Sequence, residues 1–144
     1  MRKNRKKKKL SYGGLRCIVI LSGNENISEE RARKKEDAQK KYIFEYADAH
    51  DLIPMAVIRR GVMGQSVMNG MYDRAIRMMC CGRAEAVLLS NMASVSRDTE
   101  DAYIKVGKAV GAGFRVITVD EGELRLDLYQ PEGSEVDKKC VIWK

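Results

Sequence analysis

Apolar residues gather in four short runs: CIVIL at 17–21, MAVIR at 55–59, AVLLS at 86–90 and FRVITV at 114–119. Each has the length of a strand. Val87, Leu88 and Leu89 show no alternation, the pattern of a strand covered on both faces. Between the runs the spacing changes to that of helices. Ser28, followed by Glu29 and Glu30, opens a first helix ending near His50, since a serine cap and early acids suit a helix N-terminus. Its expected inward stripe is Ala38, Tyr42, Tyr46 and Ala49. MYDRAIRMMC, 71–80, predicts a second helix with Met71, Ala75 and Met79 on one face. A third begins near Thr99 and turns Ala102, Val106, Ala109 and Val110 inward. Pro54 falls just before the second strand, where a missing amide does little harm. RGVMGQSVMNG, 60–70, reads as a loop.

Strands and helices thus alternate with short connections. That order predicts a three-layer α/β fold with a four- to five-stranded, mostly parallel sheet flanked by helices. Beyond Gly122 the period changes to two in ELRLDLYQ, and CVIWK closes the chain after Pro131 and Gly133. A terminal strand pair within 123–144 is expected.

The chain has 144 residues, which suits a single domain over 15–144 preceded by a flexible tail, 1–14. Charge sharpens that division. The net charge is +7, and Arg2, Lys3, Arg5, Lys6, Lys7, Lys8 and Lys9 supply all of it, because the remaining Lys and Arg balance the 20 Asp and Glu. Contact with DNA is therefore expected mainly through these tail residues, by counterion release. A solvated tail with no partner is the other reading. No apolar run approaches the length of a membrane span, so no membrane contact is expected. Cys17, Cys80, Cys81 and Cys140 form no CxxC, which suggests reduced thiols in a cytoplasm. The loop glycines form no nucleotide-binding motif, and the methionines read as core packing; no cofactor or metal is expected.

CGRAEAVLLSNMASVSRDTED resembles the catalytic-domain signature of serine recombinases, the resolvase and invertase family. That family has a hydrophobic strand, then Asp-Arg-Leu, a small residue and Arg-Asp. VSRDTED is similar to the second half, while Ala93-Ser94 stand where Asp-Arg would. CIVILS, 17–22, resembles the family's first strand, with Ser22 on the nucleophile and Ile20 on an arginine two residues before it. MGQSVMNGMYDRAIRMM, 63–79, is similar to the glycine-serine loop and following helix, with Arg74 on the family's arginine. FRVITVDEG, 114–122, resembles the strand that closes the core. The resemblance covers about residues 16–122. It implies a dimeric domain that cuts and rejoins DNA through a phosphoserine. The 22 residues after Gly122 are expected to hold strands and not the family's long helix and helix-turn-helix.

A serine hydroxyl attacks a phosphodiester only with its proton removed and the phosphoryl charge neutralised. Arginine forks suit the second task. The resemblance leaves Ser22, Arg74 and Arg97 as the candidate catalytic set, vestigial in the absence of arginines at 20 and 94. Each has a second reading: Ser22 as a strand end, Arg74 beside Asp73, Arg97 paired with Asp98 or Asp101. Arg59 and Arg60 end the second strand and either add positive charge there or lie in solvent. The expected function is a degenerate recombinase-like domain with a DNA- or protein-binding role in a recombination or mobile-element setting. An active fragment and an unrelated receiver-like or flavodoxin-like domain are the alternatives.

Overall fold

The computed structural model describes residues 11–23 and 28–126. The basic stretch 1–10 and the expected strands beyond 126 lie outside them. The chain runs β1 (Leu15–Leu21), α1 (Glu29–His50), β2 (Leu52–Arg59), α2 (Gln65–Cys80), β3 (Ala86–Leu89), a 3-10 turn (Met92–Ser94), α3 (Thr99–Gly111), β4 (Arg115–Thr118) and β5 (Gly122–Leu124). The sheet order is β2-β1-β3-β4-β5. The first four strands are parallel, and β5 returns antiparallel on β4. That hairpin turns on Thr118, whose hydroxyl accepts from Glu121 N–H (2.9 Å) and donates to Gly122 O (3.1 Å).

β1 explains the layering. Its successive side chains point to opposite faces. Cys17, Val19 and Leu21 pack with Ile43 and Ala47 of α1. Ile18 and Ile20 pack with Met68, Tyr72, Ala75 and Met79 of α2 and with Val106 and Ala109 of α3. Helices therefore cover both faces of a five-stranded, mostly parallel sheet, the three-layer arrangement expected from the strand pattern.

Three details depart from the sequence expectation. Ala32, Glu36, Ile43 and Ala47 form the buried stripe of α1, while Ala38, Tyr42 and Ala49 are exposed and Tyr46 is half-buried. The tyrosine tips find polar and aromatic partners instead: Tyr42 donates to Asp120 Oδ1 (2.6 Å), and Tyr46 stacks on His50. α2 begins at Gln65, inside the expected loop, and buries Met68 and Tyr72 with Ala75 and Met79. Packing of Met68 in the core outweighs the helix penalty of Gly70, about 1 kcal/mol relative to alanine. Finally, Pro54 lies within β2. It is tolerated because β2 is an edge strand and the β1–β2 register shifts immediately after Pro54. Ile53, Met55 and Val57 of that strand stay exposed.

Candidate functional site

In open parallel sheets, sites form beyond the carboxyl ends of the strands, where the order reverses. Here the chain passes from β1 outward to β2, then crosses back to β3 on the other side of β1. The ends of β1, β2 and β3 carry Ser22, Arg60 and Ser90-Asn91.

One turn of α1 ties these ends together. Gln39 accepts Ser22 N–H (2.9 Å) and donates to Ser22 O (2.8 Å) and Ser90 Oγ (3.3 Å). Three residues earlier, on the same helical face, Glu36 Oε2 accepts Gly61 N–H (2.7 Å). Its other oxygen receives Arg59 Nη1 (3.4 Å). Glu36 is thus a buried carboxylate with satisfied oxygens, which a buried charge requires. Gly61 adopts φ 66°, the left-handed turn that starts the loop after β2.

Arg60 continues the β2 path by one residue, donating its backbone N–H to Leu21 O (2.9 Å). Its guanidinium donates through Nε to Met63 O (2.8 Å) and through Nη1 to Ser22 Oγ (3.1 Å) and Ser94 O (3.4 Å). Arg60 is only 4% exposed, and Ser22 is fully buried. Beyond the guanidinium opens a polar cleft of about 350 Å³, lined in part by Gly23, Arg60, Gln65, Asn91, Ser96 and Arg97. Ser22 is not among its lining residues; Arg60 is. Ser96 Oγ is buried without a hydrogen-bond partner.

The turn after β3 is built by Asn91, whose side chain accepts Ser94 N–H (2.9 Å) and donates to Asp120 Oδ2 (2.8 Å). Those donors, Asn91 first and Tyr42 second, hold the Asp120 carboxyl below its ordinary range. Ala93 and Ser94 sit on this turn and also border the cleft. Arg97 follows, exposed, with Nε on Asp98 Oδ2 (3.3 Å) and its backbone N–H on Asp101 Oδ2 (2.9 Å). Asp98 caps α3 by accepting Asp101 N–H (2.8 Å), the main reason its carboxyl is held low. Asp101 in turn receives Lys105 Nζ (2.7 Å), a buried lysine that also donates to Asn69 Oδ1 (2.7 Å).

Ser22 therefore lies against the Arg60 guanidinium, while Arg97 lines the same cleft as Arg60. Arg74 lies on the exposed face of α2 and is not among the residues lining the cleft; the neighbouring Asp73 pairs with Lys108 (3.0 Å). Ile20 is buried in the core between the sheet, α2 and α3. The sequence pattern left Arg60 ambiguous and did not single out Glu36, Gln39 or Ser96. A signal for Arg60 exists in register: Leu21 pairs with Arg59, so the next residues, Ser22 and Arg60, are neighbours. Among the described residues, no group of three His, Cys, Asp or Glu side chains is placed to hold a metal. No helix there is long and apolar enough to cross a membrane.

No protein-family model and no curated protein matches the chain. Solved structures do. A resolvase family site-specific recombinase from Streptococcus pneumoniae superposes with a TM-score of 0.60 at 17% identity, covering 75% of this chain and 74% of that one. The N-terminal catalytic domain of TP901-1 integrase gives 0.58 at 15% identity, covering 74% of this chain and 78% of that one. The order of strands, the three layers and these superpositions agree: the chain has the fold of resolvase and integrase catalytic domains.

Proposed function

We propose that this chain is a recombinase-like domain that contacts DNA without cutting it, in a recombination or mobile-element setting. The observation that carries the reading is the burial of Ser22 beneath Arg60. A nucleophile must reach an in-line phosphorus, and here the guanidinium stands between the hydroxyl and the cleft. That guanidinium also donates to Ser22 Oγ and cannot take its proton. Among the described residues that line the cleft, none is a carboxylate or a histidine. Positions 20 and 94, arginines in the family resemblance, hold Ile20 and Ser94. Losing one oriented donor to a developing oxyanion costs about 10²–10³ in rate. Two such losses, with the serine covered, leave binding as the function these residues support.

Non-specific DNA affinity is assigned to Arg2, Lys3, Arg5, Lys6, Lys7, Lys8 and Lys9, because the rest of the chain is neutral in formal charge. The test has two arms. Incubation with supercoiled DNA followed by denaturing mass analysis is expected to give no adduct on Ser22. A covalent adduct that vanishes in Ser22→Ala overturns the reading. Removal of residues 1–10 is expected to abolish most binding to duplex DNA and flatten its salt dependence. Undiminished binding by the shortened chain places the main contact on the folded domain.

A further inference from the structure

We propose that the apolar groove between α3 and β5 is the seat of the chain's own segment CVIW, 140–143, which pairs as a strand along the outer edge of β5 with Val141 and Trp143 turned onto α3. The inference is independent of any contact with DNA.

At this groove the core between the sheet, α2 and α3 comes to the surface. Its volume is about 190 Å³, and its described lining is chiefly apolar, with Met92, Ala102, Tyr103, Val106, Leu124 and Leu126. Met92 and Val106 are buried, whereas Ala102, Leu124 and Leu126 stay half-buried against the same core and Tyr103 is exposed. Covering such apolar surface is favourable. Beside it, β5 is the outermost of the described strands. One of its edges pairs with β4, and the other has no strand against it among the described residues. An edge of that kind is a template for a further strand. There is also room at this end of β5, because a Cβ added at Gly122 would meet no atom within 4 Å.

The chain itself supplies the occupant. Leu126 lines the groove, and residues 127–144 continue from it. Leu124, Leu126 and Leu128 keep a period of two, so Leu128 prolongs the face that Leu124 and Leu126 turn to the groove. Pro131, Glu132, Gly133 and Ser134 are turn-forming in sequence, and CVIW is the apolar run that follows them. With Glu132 and Gly133 as the two loop residues, Leu124 falls opposite Val141, Asp127 opposite Lys138 and Gly122 opposite Trp143. A three-residue loop would instead set Arg125 against Lys139 and Asp127 against Asp137, and like charges directly opposite are destabilising. Directly opposed residues share a face of the sheet, so Val141 and Trp143 take the groove side, the indole beside the position where Gly122 has no side chain. The groove accommodates one or two side chains, well short of the roughly 800 Å² per partner that a stable interface between chains buries. A tethered segment needs no such area, because its effective concentration is on the order of millimolar.

Trp143 is the single tryptophan of the chain, so its fluorescence reports the seat directly. In the full chain its emission is expected to lie to the blue of that of the guanidinium-unfolded chain, with acrylamide quenching several-fold weaker, and to stay so on dilution. Ala102→Glu sets a carboxylate in the groove and is expected to shift the emission to the red and restore most of the quenching. Ile104→Glu, at an exposed position of α3 that is not among the residues lining the groove, is expected to leave both unchanged. Val141→Asp is expected to act as Ala102→Glu does, and it decides the matter where Ala102→Glu fails to fold. Emission and quenching equal to those of the unfolded chain overturn the proposal. A shielded Trp143 that is indifferent to Ala102→Glu and Val141→Asp places the indole elsewhere and overturns it too, as does a response to Ile104→Glu as large as that to Ala102→Glu. A blue shift confined to a dimeric fraction in gel filtration with light scattering assigns the segment to a second copy and likewise removes the proposal.

Discussion

Gln39→Met removes the link between α1 and the strand ends while nearly preserving side-chain volume. In the folded chain Gln39 is the hydrogen-bond partner of both Ser22 N–H (2.9 Å) and Ser22 C=O (2.8 Å). Methionine serves neither, and Ser22 is fully buried. Leaving a buried polar group unpaired costs about 1–3 kcal/mol. Two groups give about 2–6 kcal/mol before relaxation, and water entering from the cleft offsets part of it, so about 3 kcal/mol is expected. For a domain of this size that is a fall in Tm of roughly 12 °C. Urea unfolding followed by circular dichroism gives the free energy directly. Gln39→Glu adds a sign. An ionised carboxylate still accepts Ser22 N–H but faces Ser22 C=O with no proton to donate. Protonation restores the donor, so the deficit of Gln39→Glu relative to the parent should shrink as pH falls toward 4. A Gln39→Met variant within 1 kcal/mol of the parent, or a Gln39→Glu deficit that grows on acidification, refutes the argument that these two bonds hold the end of β1.

The Lys105–Asp101 pair offers an independent check: Lys105→Met leaves a half-buried carboxylate short of a donor and should cost about 3 kcal/mol, whereas Lys105→Met with Asp101→Asn should cost less than the sum, a coupling of at least about 1 kcal/mol in a double-mutant cycle. Burial acts to raise the Asp101 carboxyl, but Lys105 and the Arg97 N–H prevail and hold it below its ordinary value. Its contribution to folding is therefore complete above the ordinary carboxylate pKa near 4 and is lost as pH falls through the lower folded value, a stretch of acid sensitivity that Asp101→Asn should lack in pH-dependent urea titrations. Burial pushes the Cys17 thiol up to about 12, while Cys80 and Cys81 are exposed, so iodoacetamide mapping by mass spectrometry should label Cys80 and Cys81 in the native chain and Cys17 only after unfolding.

Where burial is two-sided, sequence was a faithful guide. CIVIL and AVLL are apolar without interruption because β1 and β3 lie inside the sheet with helices above and below. The inward turn of Val106 and Ala109 was legible because α3 buries one face only, which leaves a helical spacing of apolar residues. The stripe of α1 was not, because the pattern counts polar residues as outward. Glu36 faces inward, and Gln39 reaches Ser22 and Ser90, because their partners are backbone and hydroxyl groups at strand ends, brought close only by the fold. Arg60 escaped for the same cause. A cation beside a glycine reads as a solvated turn until the β1–β2 register sets it against Ser22.

Pro54 has a consequence beyond its own strand. β2 forms a margin of the sheet, with Ile53, Met55 and Val57 uncovered, the composition that invites another chain to add a strand and begin aggregation. A proline contributes no amide hydrogen to such an encounter, and the register shift that follows it breaks the even spacing a newcomer would have to match. The margin can therefore stay apolar without serving as a continuous template.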